Sequence, residues 1–234
     1  MSDGVIVDIG ASTDSFLFWW NAKRRVMFEG DALACQRTVE KAKQLKVDCE
    51  VFNRKVYPDT VVATLKEACI PIDFDVLSLD IDSYDFWVLL SILKEFRPWI
   101  IVTEVNENIP PPISFTLKSD PKLTWNPGSA FFGYSIWALK PLLSEFGYRV
   151  SGMAFNNVIL TRSDILSETG VSLEEAWEKG YLMSPAKTGY FSPEQRSILF
   201  SKVGNDEKLK IIRDVFRGND GHYVLGVDKD VREL

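Results

Sequence analysis

Histidine, paired cysteine, basic excess and long apolar runs are all scarce in this chain, and each scarcity excludes a class of function. The single histidine, His222, lies in the polar stretch GNDGHY, so neither a histidine-rich metal centre nor a Ser-His-Asp triad is easily assembled. Any base that catalysis needs is therefore expected to be a carboxylate. Cys35, Cys49 and Cys69 form an odd set without Cys-x-x-Cys spacing, which argues against a disulfide framework or a zinc knuckle and for a reducing compartment. The 33 Asp and Glu outnumber the 27 Lys and Arg for a net charge of -6, and polyanions are held by clustered cations, so no nucleic-acid partner is expected. No apolar run approaches the roughly 20 residues that span a bilayer. The opening MSDGVIVDIG also lacks the zones of a signal peptide. These features predict a cytoplasmic protein without a membrane span.

What the chain does have is a core: 46% of its 234 residues are hydrophobic, enough for one domain with an appendage. Val5 to Ile9 is a continuous run of mostly β-branched residues meeting Gly10, the pattern of a parallel strand buried on both faces. Strands at 25–28, 48–52, 74–79 and 99–105 then alternate with helices at 16–23, 33–45, 60–68 and 84–95, which is the signature of βαβ units. Pro110 to Pro112 open a long connection to Gly133, a candidate substrate loop or lid. A helix over 134–146, kinked or shortened by Pro141, leads into two strands at 148–155 and 158–162 around Asn156-Asn157, predicting an antiparallel hairpin. The expected fold is α/β and Rossmann-like: a mostly parallel sheet closed by that hairpin, with a catalytic domain over 1–164. Residues 165–234 have no strong core signal and are expected to be a helical C-terminal appendage with a flexible end, its helices near 173–179 and 208–216.

Four stretches carry residues suited to chemistry. VDIGAST, 7–13, sits at a strand-to-helix turn where ligands of open α/β sheets bind, and Gly10 permits close backbone approach. Ser12 and Ser15 replace the second and third glycines of a dinucleotide fingerprint, which weakens a pyrophosphate reading; a tight turn without a ligand is the alternative. FEGD, 28–31, places Glu29 and Gly30 at the end of the second strand, where an acidic residue accepts ribose hydroxyls. LSLDIDSYD, 77–85, brings Asp80 and Asp82 to the carboxyl edge of the sheet, where they could hold a divalent cation, share a proton or accept one from a hydroxyl, unless Asp82 or Ser83 simply caps the next helix. TEVNENIPP, 103–111, adds Glu104 and Asn106 beside them, or else these two pin the start of the proline-rich loop. Trp125, Phe131, Phe132 and Tyr134 are candidates for an acceptor pocket, with plain core packing as their alternative.

The order VIVDIGA, VMFEGD, VATLKEACIPIDFDVLSLDIDSYDFWVL and RPWIIVTEVNENIPP resembles the FkbM-like methyltransferases and a related, poorly described group sharing their core; GSAFFGYSIWALKPLLSEFGYRVSG and VILTRSD resemble that related group. The resemblance covers about Val5 to Asp164. It implies a class I methyltransferase fold, S-adenosylmethionine as donor, and O-methylation of a hydroxyl on a sugar, glycan or small natural product. By position it implies that Asp8, Gly10, Ala11 and Ser12 surround the methionine part, Glu29 and Gly30 the ribose, and Asn53 the adenine edge, with Asp80 facing the donor methyl and the acceptor. Asp82 stands where the family commonly has Glu and Ser83 where it has Gly. Asp14 occupies a loop position where an uncharged residue is commoner. The sequence begins almost at the first strand, without the upstream segment that often covers the donor, so the cover is expected from another domain or subunit, or the sequence is a piece of a longer protein.

The mechanism these expectations describe is direct methyl transfer, with Asp80 or Asp82 taking the hydroxyl proton, or with a cation between Asp80, Asp82 and Glu104 lowering the hydroxyl pKa. Two other functions fit the same residues. Asp80-Ile81-Asp82 is also a DxD sequence of the kind that holds manganese and a nucleotide sugar in glycosyltransferases. A methyltransferase-fold interaction domain without turnover is the other.

Overall fold

The computed structural model describes residues 4–123, 125–165, 169–184 and 190–233. No helix among them is long and apolar enough to cross a membrane. The chain forms two compact units, Met1–Ile81 with Trp87–Thr103, and Asp82–Phe86 with Glu104–Leu234.

The first unit is built on parallel strands: β1 (Val5–Ile9), β2 (Arg24–Glu29), β3 (Glu50–Asn53), β4 (Val76–Leu79) and β5 (Ile100–Glu104), the last ending as the second unit begins. Their order is β3-β2-β1-β4-β5. All five residues of β1 are buried, as a central strand covered on both faces requires. The register sets Ile9 against Phe28 on one side and Leu79 on the other, and Glu29 against Asn53. Helix α1 (Ala32–Leu45) begins where the Asp31 carboxylate accepts from Ala34 N at 2.7 Å, and it ends at Lys46 in the left-handed conformation. Arg24 of β2 grips the β3 edge with two bonds to Glu50, at 2.6 and 2.9 Å. The connection between β3 and β4 contains α2 (Val61–Glu67), and α3 (Asp85–Leu93) starts in the second unit and runs on into the first.

One predicted helix in this unit is not there. Residues 16–23 were expected to be helical, yet only Phe16–Trp19 form a single 3-10 turn. The reason is packing: Leu17 and Phe18 are buried with Ile6 and Met27, while Phe16, Trp19 and Trp20 are exposed, so the apolar residues lie on two sides and no helical stripe can serve them.

The second unit contains β6 (Ile113–Leu117), α4 (Lys140–Phe146), β7 (Tyr148–Ala154), β8 (Asn157–Arg162), α5 (Leu173–Trp177), α6 (Pro193–Leu199), α7 (Asn205–Val215) and β9 (Tyr223–Val227). The expected antiparallel hairpin is β7-β8, but its turn lies one residue earlier than Asn156-Asn157. Phe155 takes the positive φ of 57°, and Asn157 already pairs with Ala154. Pro141 does shorten its helix: Ile136–Leu139 is a 3-10 turn, and α4 proper has proline in its first turn, where a missing N–H costs nothing.

Two other expectations need correction here. The connection 110–133 is not wholly irregular, since β6 lies within it. The segment after residue 164 is also not without a core: β9 pairs antiparallel with β6 from Ile113↔Val227 to Leu117↔Tyr223, and Phe191, Leu199, Ile212 and Phe216 are buried with Phe115. Tyr223–Val227 is a five-residue apolar run between polar turns, and only a partner more than a hundred residues away gives it a place to pair.

Candidate functional site

In an open parallel sheet, a crevice forms at the carboxyl edge where the strand order reverses, because neighbouring connections leave on opposite faces. In the first unit that point falls between β1 and β4. Gly10 follows β1 there and Asp80 follows β4, with Asp80 N donating to the Ile9 carbonyl at 3.0 Å. Glu29 and Asn53 end the next two strands on the same edge. Four of the expected donor-site residues thus share one rim, although they are spread over 71 positions of sequence.

The loop after β1 is organised from below. Asp8 is buried, and Ser15 Oγ donates to its Oδ2 at 2.5 Å while the same Oγ accepts from Leu17 N. Burial pushes the Asp8 carboxyl above its ordinary value, with the Ser15 and Ser78 hydrogen bonds pulling the other way. Ala11 is buried as well, whereas Ser12 and Asp14 are exposed and joined by the bond from Asp14 N to Ser12 Oγ. Gly10 and Ala11 both donate their N–H to the Phe28 carbonyl, at 2.9 and 3.1 Å.

Glu29 is half-buried. Its Oε1 accepts from Asp31 N at 2.7 Å, and among the described residues this is its side chain's one hydrogen bond, so Oε2 is unengaged. Exposed Asn53 donates Nδ2 to the Glu29 carbonyl at 3.0 Å, and Gly30, also exposed, completes the turn.

The second unit holds a cavity of about 80 Å³. Asp82, Glu104 and Glu107 supply its carboxyl groups. Asp82 and Glu104 bring carboxylate oxygens within 4.8 Å of one another, a spacing at which two carboxyl groups favour sharing a proton over ionising together. Burial raises the Asp82 pKa, and a hydrogen bond with Glu104 opposes the rise. Asp82 has φ 58°, a left-handed conformation that Asp tolerates better than most side chains. Asn156 Nδ2 donates to Glu104 Oε1, and Glu107, fully buried, accepts from Asn108 Nδ2 at 2.9 Å. The aromatic part of the wall comes from Trp125, Phe132, Phe155 and Tyr190. Burial and then the three carboxylates raise the Tyr190 phenol pKa.

Several expected residues thus separate into different roles. Asp82 and Glu104 meet, and chain connectivity keeps Asp80 two residues from Asp82. Asn106 does not line this cavity among the described residues; it is fully buried, donating to the Ala130 and Phe132 carbonyls at 2.7 and 3.1 Å, and it pins the far end of the 110–133 connection. Helix α3 starts at Asp85, and Ser83 N donates to Asp85 Oδ2 at 2.9 Å. Of the four aromatic candidates, Trp125 and Phe132 reach the cavity, whereas Phe131 packs on Phe115 and Phe216 and Tyr134 on Phe86. Sequence reasoning missed Glu107, Phe155, Asn156 and Tyr190. Glu107 had one signal, a charged residue between asparagines just after an apolar strand.

No protein-family model matches the chain, and no curated protein matches it. Among solved structures it is similar to a Klebsiella pneumoniae protein assigned as an O-methyltransferase, with 20% identity over 46% of this chain and 53% of that one and a TM-score of 0.36. It is also similar to the O-methyltransferase TomG of Streptomyces achromogenes, solved with S-adenosylmethionine (18%, 44% and 48%, 0.35), and to an S-adenosylmethionine-dependent methyltransferase of Aquifex aeolicus (15%, 68% and 82%, 0.39). The chain spans about half the length of the first two.

Proposed function

We propose that this chain is an S-adenosylmethionine-dependent O-methyltransferase of FkbM-like type, acting on a hydroxyl of a sugar, glycan or small natural product. One observation carries the choice of donor: the β1 turn at the sheet's switch point leads into a four-residue 3-10 turn instead of a helix. Pyrophosphate binding depends on a helix N-terminus with unspent N–H groups and its dipole. Here Ser15 already occupies Leu17 N, and Asp14 adds a negative charge to the loop. A phosphate-free nucleoside suits this rim, and a dinucleotide or nucleotide sugar does not.

In this reading, Glu29 Oε2 with Gly30 receives the ribose, Asn53 borders the adenine, and the backbone of Gly10 to Ser12 holds the methionine part. The donor, when bound, supplies a methyl group already activated on a sulfonium. The protein's own work is to align the acceptor oxygen, exclude water and take the hydroxyl proton, which falls to the carboxyl groups of Asp82 and Glu104, with Asp80 close by in sequence. The FkbM-like segments around Asp80 and Glu29 support the same assignment.

Calorimetric titration of the purified chain tests it. S-adenosylhomocysteine without metal is expected to bind, and Glu29→Gln to weaken it about 10-fold, the worth of one hydrogen bond to a charged group. Binding of NAD, or of a nucleoside diphosphate with manganese, in place of S-adenosylhomocysteine would overturn it.

A further inference from the structure

The cavity of the second unit has a chemical preference that methyl transfer to a hydroxyl does not demand. Among the described residues, its polar wall accepts more than it donates. Asp82, Glu104 and Glu107 bring carboxyl oxygens, and no Lys, Arg or His is among the described residues that line it. Of the donors in the wall, Trp125 Nε1 is taken by the Ser129 carbonyl at 3.0 Å and one N–H of Asn156 Nδ2 by Glu104, which leaves the second Asn156 N–H and the Tyr190 hydroxyl against three carboxyl groups. A neutral polyol leaves its acceptor lone pairs unmet in such a wall, whereas a cation is satisfied by acceptors and electron-rich faces alone.

The faces are present. Trp125, Phe132 and Tyr190 turn one side of the cavity into an aromatic wall, with Trp125 and Phe132 edge-to-face at 6.4 Å and Phe132 and Tyr190 at 5.9 Å. Aromatic faces attract alkylammonium groups through the ring quadrupole, most strongly when the site is desolvated. A divalent metal gains nothing from them, since it seeks oxygen ligands on every side. Glu107 is also fixed in position, because Trp177 Nε1 donates to its carbonyl at 2.7 Å and Asn108, which holds its Oε1, accepts from Tyr181 Oη at 3.2 Å. The volume of about 80 Å³ is well below the roughly 300–1,000 Å³ of pockets that enclose a whole small ligand, so it suits one head group.

We propose that this cavity recognises an alkylammonium head group, making the acceptor a hydroxyl compound that also carries an ammonium. The second half of that statement rests on the methyltransferase reading; binding of the cation does not.

Choline chloride is the probe, and its neutral isostere 3,3-dimethylbutan-1-ol the control, both titrated calorimetrically into the full chain. Saturable choline binding at least tenfold tighter than that of the alcohol is expected, weakened about tenfold by Glu107→Gln and about fivefold by Trp125→Leu, with circular dichroism melts confirming that both variants fold. Equal affinity for choline and the alcohol, choline binding unaffected in both folded variants, or manganese binding with none by choline would each overturn the proposal. S-adenosylhomocysteine is titrated into the same samples. Choline bound without it removes the methyltransferase reading and leaves the cation site; the reverse removes the cation site alone.

Discussion

A Cβ on residue 10 would stand 1.6 Å from the carbonyl oxygen of Asp80, so Gly10 is the residue that lets the ends of β1 and β4 come together. Its φ of 89° independently disfavours a side chain. Gly10→Ala is expected to cost about 2–5 kcal/mol, combining left-handed strain with an overpacked contact against backbone. Urea unfolding with a midpoint like that of the parent would contradict this. The glycine is thus required by the sheet itself, before any ligand is considered.

Asp8 yields a prediction with a sign. Because burial raises its folded-state pKa above the ordinary 3.8, the folded chain holds this proton more tightly than the unfolded one. The resulting stabilisation is complete below about pH 4 and is lost as pH rises through the folded value. Asp8→Asn should therefore gain on the parent as pH rises. Denaturant melts of both proteins from pH 4 to 8 measure the difference, and a constant gap between them would refute the linkage.

For the Asp82–Glu104 pair, the raised Asp82 pKa means that a base at this position is active only above the usual carboxylate range. Transfer to the acceptor should rise with pH through that value, and Asp82→Asn should lower kcat/KM by about 10²–10⁴. Glu104→Ala removes the carboxyl group that titrates together with Asp82 and should shift the acidic limb. A pH–rate profile with the same limb in both proteins would count against Asp82 as the base.

The C-terminal segment should prove indispensable to the second unit. Phe216 is buried against Phe115, Phe131 and Phe191, with ring centroids at 5.1, 5.1 and 6.4 Å. Phe216→Ala is expected to cost about 3–5 kcal/mol. Ending the chain before Tyr223 should remove the partner of β6 and abolish cooperative unfolding of that unit. A truncated chain that melts like the parent would show the pairing to be dispensable.

Local patterning carried the parallel strands, because a strand buried on both faces must be largely apolar, and Val5–Ile9 and Val76–Leu79 each carry one polar residue, Asp8 and Ser78, among apolar ones. It also located Gly10 and Glu29, while Asn53 came from the family resemblance; the rim they share follows from strand ends in a parallel sheet. It misjudged 16–23, where apolar residues serve two sides, and it missed β9, whose five residues mean nothing without Ile113–Leu117.

The amino-acid sequence by itself determined the α/β class, the carboxylates available for proton transfer and the lack of a glycine-rich phosphate loop, all of which depend on residue type and short-range spacing. Only the tertiary structure decided that Ser15 spends its hydroxyl on Asp8 and Leu17, that Asn106 pins a loop, and that Glu107 and Tyr190, 83 positions apart, face one cavity. Those outcomes depend on which distant segments pack together, and burial, not proximity in sequence, sets the charge and hydrogen bonding of each group.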